Sequence, residues 1–201
     1  VLGGDNIPLS TIEGAYTYLK DFGDSAAELI LVGNKDQIEC TIKDFDINRS
    51  NIIIHHTTEV IGMHERSSRI FREKPNSSLV QSIQLVKDGK AQAAVSAGNT
   101  GALLASSLFL IGKIPGIRRP AFAPFIPTNK GGFILCDAGA NPDTKPQHLV
   151  QFALMASAYM EHLENRPNPR VALLNIGLEE NKGNDLTINT YPMLKDHIAN
   201  F

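Results

Sequence analysis

The chain has 201 residues, 42% of them hydrophobic and 20% charged, with a formal net charge of −2. That length allows one large domain or two small ones with a buried core. The near-balanced charge excludes general nucleic-acid binding, so no nucleic acid is expected as a partner and an acidic partner has to meet a local basic patch. The two cysteines, Cys40 and Cys136, lie far apart, form no ligand spacing and read as reduced cytosolic thiols. The most apolar stretch, 102–112, is interrupted by Ser106 and Ser107 and falls short of the ~20 residues of a spanning helix. With no charged leader at its start, the expectation is a cytoplasmic protein.

Gly3, Gly4 and Asp5 make a turn of the kind that follows a strand, so the first strand of the fold is expected to be missing. Pro8 opens a helix that runs to about Phe22 and stops at Gly23. A strand over 28–32 closes at Gly33, a weaker helix covers 37–43, and a second buried strand covers 51–54. His55 and His56 end that strand on opposite faces, which argues against joint metal binding. Residues 63–74 read as a helix whose Arg66, Arg69 and Arg72 recur at every third position along one side. Another helix runs from Ser77 and Ser78 to Asp88, with Gly89 as its stop. A strand over 91–95 then breaks into the loop 96–101, and an Ala/Leu-rich helix follows, capped by Asn99 or Thr100. Residues 113–120 form a basic loop. Strands are expected over 121–126 and 133–136, then a long helix turning Leu149, Val150, Phe152, Ala153, Ala156, Tyr159, Met160 and Leu163 inward, a strand over 170–174 and a last helix from Asp185. Short continuous apolar strands alternating with helices predict an α/β fold with a mainly parallel sheet covered on both faces.

In such folds ligands bind outside the carboxyl ends of the strands. Three polar loops are expected at that edge: 96–101, 137–145 and 175–184. Gly98 and Gly101 permit close backbone approach, and the helix start after Asn99 presents free N–H groups that favour an anion. Together the loops offer Asn99, Thr100, Asn141, Lys145, Lys182 and Asn184, a donor-rich set suited to phosphate or an oxyanion. Asp137, Asp143, Glu179 and Glu180 repel phosphate unless they hold the lysines in place or carry a divalent cation. Holding the lysines is the favoured reading, because the spacing matches no cation cage and the histidines form no metal-binding set. No dinucleotide or P-loop glycine pattern, no nucleophile elbow and no Cys–His pair occurs, and Cys136 reads as a small buried hydrophobe.

The segments V-S-A-G-N-T-G-A-L-L-A, D-A-G-A-N-x-D-x-K-P-x-H-L-x-Q-F-A and L-L-N-I-G-x-E-E-x-K-G-N closely resemble the bacterial phosphate acyltransferase family, PlsX. The resemblance runs from Gly3 to Phe201. It implies a three-layer α/β/α sandwich related to the phosphotransacetylase and isopropylmalate dehydrogenase fold, usually dimeric. It also implies transfer of a long-chain fatty acyl group from acyl carrier protein to inorganic phosphate, giving acyl phosphate for phospholipid synthesis. No cofactor and no metal is implied. Leu178 and Asn181 depart from the family pattern, which favours an acidic residue and a glycine there. Residues 1–201 are expected to form a single α/β domain without the family's first strand and C-terminal third. That third holds part of the pocket, the dimer surface and the helical hairpin for peripheral membrane contact.

The donor set and the charge pattern lead to the following expected roles. Phosphate sits on Gly98, Asn99, Thr100 and Gly101 with Asn141 and Lys145 beside it, and Lys182 meets the oxyanion or the leaving sulfur. Asp137, Asp143, Glu180 and Asn184 complete the substrate site. Acyl carrier protein docks on Arg66, Arg69 and Arg72, ahead of Lys113, Arg118 and Arg119, because the latter follow the helix that starts at the pocket and lie about 18 Å away if it has ~12 residues. The rival readings are a phosphotransacetylase-like enzyme using acyl-CoA, a dehydrogenase of the related fold, and a non-catalytic acyl-carrier or anion-binding remnant.

Overall fold

In the computed structural model, which describes residues 3–4, 6–65, 69–129 and 131–201, the chain divides into two compact units between Gly112 and Lys113. In the first, α1 (Leu9–Phe22) ends at Gly23, whose φ of 51° only a residue without Cβ adopts easily and whose N–H reaches the Leu19 carbonyl. Strands β1 (Leu29–Gly33) and β2 (Ile52–His56) pair in parallel, from Leu29 opposite Ile52 to Gly33 opposite His56. Parallel neighbours need a crossover. Helix α2 (Lys35–Ile42) lies within it, capped by Asn34, whose Oδ1 accepts the Gln37 N–H at 3.1 Å. Ile12, Leu31, Ile38 and Ile42 are buried together, joining α1, β1 and α2 in one cluster. Each such side chain contributes ~1.5–3 kcal/mol on burial.

The second cluster of this unit is Ile61, Ile70, Leu79, Val80, Ile83 and Ala102. It joins α3 (Ile70–Glu73), α4 (Ser78–Lys87) and α5 (Thr100–Leu110), and Phe71 stacks on Phe109 with ring centroids 4.5 Å apart. Among the described residues, the helix expected over 63–74 is confined to the single turn of α3. Glu65 competes with helix formation: its Oε1 accepts the Gly62 N–H at 2.6 Å and pairs with Lys74 Nζ at 2.7 Å, closing a local turn. Arg69 and Arg72 therefore do not repeat along a helix face, and Arg66 lies outside the described residues. The expected strand over 91–95 is not formed. The Ala91 N–H returns to the Leu85 carbonyl at the end of α4, and Val95 is 98% exposed.

In the second unit β3 (Phe125–Thr128) and β4 (Gly131–Ile134) form an antiparallel hairpin, shifted from the expected spans. Further bonds from Leu135 N–H to Pro124 O and from Ala138 N–H to Phe122 O carry the pairing beyond the ladder. A Cβ at Gly132 would strike the Phe125 ring, so the glycine is what allows that ring to lie across the partner strand. Helices α6 (Pro146–His162) and α7 (Asp185–His197) pack through Val150, Leu194 and Ile198, joined by Val171, Leu173 and Phe201. Leu163, expected inward, is 65% exposed just past the end of α6. Residues 170–174 alternate in burial as a strand does, yet lack a partner strand among the described residues, and Leu174 is 81% exposed. An apolar run sets which side chains turn inward; a ladder also needs a neighbouring backbone.

Candidate active site

Loop 96–101 is built by Asn99. Its Oδ1 accepts the Ala102 N–H at 2.9 Å and so caps α5, while its Nδ2 lies 3.1 Å from each of the carbonyl oxygens of Gly62, Met63 and Glu65. The residue is 8% exposed. Its amide is thus committed to the protein, and the groups left for a ligand are the N–H groups of Thr100 and Gly101 at the helix start. Glycines 3 and 4 run against the same loop. A Cβ on Gly3 would come 3.1 Å from Gly98 Cα, and one on Gly4 would come 3.2 Å from the Ala97 carbonyl. The close approach at Gly98 is therefore to Gly3.

Loop 137–145 is organised by Asp137. Its Oδ1 accepts the N–H groups of Phe122 at 2.8 Å and Ala140 at 3.2 Å, and its Oδ2 accepts the N–H at 2.8 Å and the Nδ2 at 3.0 Å of Asn141. Burial pushes the Asp137 carboxyl up, but the Asn141 side chain and the three backbone donors prevail and hold it below the usual range. Asn141 Nδ2 also donates to the Pro120 carbonyl at 2.8 Å, so both of its amide hydrogens are committed. The expectation that Asp137 steadies a lysine is replaced: it steadies the loop backbone.

The same loop is tied to the basic loop. Arg119 Nη1 donates to the Asp143 carbonyl at 3.3 Å, Lys113 Nζ donates to the Arg118 carbonyl at 3.0 Å, and Gln151 of α6 accepts the Arg118 N–H and donates to the Gly116 carbonyl, both at 2.8 Å. The estimate that set this loop about 18 Å from the site, measured along α5 alone, does not apply to its distance from Asp143. The Lys145 N–H donates to His148 Nδ1 at 3.2 Å, which fixes Nδ1 as the acceptor. Burial first, then the charges of Arg119, Arg118 and Lys145, hold the imidazole below its usual pKa. The Lys145 side chain is exposed and forms no ion pair among the described residues.

Loop 175–184 is closed by Asn175, whose Oδ1 accepts the Ile176 N–H at 2.9 Å and whose Nδ2 donates to the Lys182 carbonyl at 2.8 Å. Gly183 has φ 102°, and a Cβ there would collide with Asn175 Oδ1 and Thr187 Oγ1. Asn184 caps α7 by accepting the Thr187 N–H at 3.0 Å. Glu180 pairs with Lys195 at 3.2 Å, not with Lys182, and hydrogen bonds from Lys195 and then Tyr191 hold its carboxyl below the usual range. Lys182 is exposed and forms no ion pair among the described residues. A groove of about 350 Å³ runs between residues 171–180 and α7, with Leu173, Leu178, Tyr191 and Phe201 in its walls. No hydrogen bond or ion pair joins this loop to 137–145 among the described residues.

His55, His56 and Cys136 serve the fold. His56 Nδ1 accepts the Lys35 N–H at 3.1 Å, and His55 Nε2 lies 3.3 Å from Gln81 Oε1. Burial and then the Asp137 charge push the Cys136 thiol up to about 11, which removes it as a nucleophile at neutral pH. Among the described residues no cluster of three or more His, Cys, Asp or Glu is placed to hold a metal ion, and no helix is long and apolar enough to cross a membrane.

A family model described as fatty acid synthesis protein matches residues 1–201. The chain belongs to the fatty acid synthesis protein family. Among relatives of this member, the phosphate acyltransferase of Desulforamulus reducens is 47% identical over 200 residues, covering 100% of the chain and 59% of that protein. Those of an Exiguobacterium species and of Clostridioides difficile are 45% and 44% identical over 201 residues, covering 100% of the chain and 60% and 58% of those proteins. The chain spans about three fifths of the length of these curated relatives. EutD phosphotransacetylase from Staphylococcus aureus shares the fold, with a TM-score of 0.62 at 18% identity over 95% of this chain and 63% of that one. The α/β class and the likeness to the phosphotransacetylase fold expected from the sequence are both found.

Three further residues shape the loops of this family member: Asn175, His148 and Gln151. Asn175 was visible as the first polar residue after an apolar run, but nothing local shows that its amide reaches Lys182. Gln151 looks like a surface residue of an amphipathic helix until the chain folds back beside it.

Proposed function

We propose that this member of the fatty acid synthesis protein family transfers a long-chain fatty acyl group from acyl carrier protein to inorganic phosphate, giving acyl phosphate for phospholipid synthesis. The observation that carries the reading is identity of 44–47% along the whole chain to proteins named phosphate acyltransferase. Cytoplasmic location, a homodimer and peripheral membrane contact belong to the same proposal, and no cofactor is required.

The chemistry asks little of the protein beyond placement. A phosphate oxygen attacks the thioester carbonyl carbon, the C–S bond breaks, and the thiolate leaves with the bonding pair and takes a proton from solvent. A thiol of pKa near ~8.5 leaves as thiolate readily, and phosphate is anionic already at neutral pH, so no covalent enzyme intermediate is needed. The protein positions two anionic partners and stabilises the tetrahedral oxyanion. In this proposal the Thr100 and Gly101 N–H groups and Lys145 serve phosphate, and Lys182 serves the oxyanion. Supporting this assignment, both lysines are exposed and unpaired among the described residues. Asn99, Asp137 and Asn141 act through the loops they hold, and Asp143, Glu180 and Asn184 border the substrate.

The test is thiol release from palmitoyl-acyl carrier protein with and without phosphate, on this chain and on a version extended to the relatives' length. Phosphate-dependent release supports the reading. Preference for acetyl-CoA points instead to a phosphotransacetylase, a nicotinamide-dependent absorbance change points to a dehydrogenase, and binding without turnover points to a carrier-binding remnant.

A further inference from the structure

Four of the chain's ion pairs are Lys35 with Glu39, Lys74 with Glu65, Lys90 with Asp88 and Lys195 with Glu180. Residues 113–120 differ: they carry Lys113, Arg118 and Arg119 with no acidic residue, and none of the three pairs with a carboxylate among the described residues. All three are exposed, as is Lys145 two residues beyond the Asp143 carbonyl that Arg119 reaches. The loop is also held firmly. Gln151 grips it at Gly116 and Arg118, Lys113 closes on the Arg118 carbonyl, and Pro115 and Pro120 restrict its backbone. Ile114, 67% exposed, adds one apolar contact among the cations.

We propose that the loop 113–120, with Lys145 beside it, is the surface on which an acidic carrier protein docks to deliver its acyl group. The identity of the partner rests on the function proposed above; the surface rests on the charge and the bracing of the loop. In a chain of net charge −2, a fixed group of four unpaired cations is what steers an acidic protein, because the field of paired charges largely cancels. The arginines around Arg69 are a poorer surface. Glu65 and Glu73 lie close by in sequence, Arg72 rests 5.3 Å from the Phe71 ring centroid, and the turn holding them spans only Ile70–Glu73. An anionic membrane is a weaker fit than a protein, since a short loop with one exposed isoleucine lacks the broad apolar face that membrane binding adds to basic charge.

Fluorescently labelled acyl carrier protein, mixed with the 201-residue chain in the absence of phosphate, measures docking apart from turnover. Arg118→Glu is the first variant: the ordered contacts of Arg118 are made by its backbone, so the loop is kept. Its association rate is expected to fall ~10-fold at about 10 mM salt, with the difference shrinking toward physiological ionic strength. Lys113→Glu gives a similar defect, Arg118→Lys restores the rate, and the Arg69→Glu/Arg72→Glu double variant stays within ~2-fold of the parent. Unchanged association for both loop variants, or a larger loss from the Arg69 and Arg72 changes, overturns the proposal. So does a parent chain that binds no carrier protein, or an Arg118→Glu variant that loses only its binding to phosphatidylglycerol vesicles. An extended protein that docks through Arg118 yet releases no thiol when phosphate is added refutes the reaction and leaves the docking surface standing.

Discussion

Replacing Asn99 by Asp separates two roles that one amide combines. As helix caps the two residues are nearly equivalent. In this fold the other half of the side chain matters as much, because Nδ2 serves the carbonyls of Gly62, Met63 and Glu65, each at 3.1 Å, from a residue 8% exposed. Asn99→Ala removes the cap, about 1 kcal/mol, and two donor hydrogens at ~1 kcal/mol each, moderated by water reaching the Gly62 and Met63 carbonyls. The expected loss is ~2–3 kcal/mol. Asn99→Asp keeps the cap but turns a carboxylate oxygen toward the same carbonyls, so its loss should be at least ~2 kcal/mol in spite of the ideal cap. Amide exchange across α5 reads this directly, since ~2 kcal/mol corresponds to ~30-fold more frequent opening. If Asn99→Asp lies within ~0.5 kcal/mol of the parent, the cap alone matters and the bridge to residues 62–65 is without consequence.

Asp137→Asn should destabilise the second unit in a pH-dependent way. The folded carboxyl lies below its ordinary 3.8, so its contribution is complete above that value and is lost as pH falls through the lower folded value. Urea unfolding should show a constant gap between parent and variant above about pH 4 that closes on further acidification; a gap independent of pH down to 2 contradicts the bonding described. Gly183→Ala forces a Cβ onto Asn175 and Thr187 at φ 102°, so loop 175–184 should be cut by protease faster than in the parent, with α7 still helical by circular dichroism. With Cys40 replaced by Ser, iodoacetamide should label Cys136 with a half-maximal rate near pH 11, and a midpoint near the ordinary thiol value would show that burial does not act on it. Lys182→Met in the extended protein should reduce turnover by ~100-fold or more while phosphate affinity changes less; a small loss makes Lys182 a bystander.

The helices were legible because their signals are local. Gly23, Gly89, Asn99 and Asn184 mark the ends and starts they occupy, and the core stripe of α6 follows from its spacing. The strands were legible only in part. Apolar runs at 91–95 and 170–174 were apparent, but a ladder needs a second backbone, which composition cannot supply. The helix expected over 63–74 fell short for a related reason: Glu65 offers Gly62 and Lys74 partners that a periodicity argument does not weigh. At the candidate site the polar loops were legible as loops, while the division of labour within them was not. Asn99 and Asn141 looked like ligand donors because their type suits an anion, and Asp137 looked like a support for a lysine, while the folded chain commits all three to its own carbonyls and N–H groups. Lys145 and Lys182 are the cations that remain unpaired in these loops among the described residues.

The most direct test of the proposed reaction follows the phosphorus. Palmitoyl-acyl carrier protein and radiolabelled inorganic phosphate are incubated with the protein extended to the length of its relatives, and label entering the organic phase is counted against thiol released. The account predicts one labelled acyl phosphate for each thiol. Thiol release with the label remaining as inorganic phosphate would make the protein a thioesterase and contradict the account.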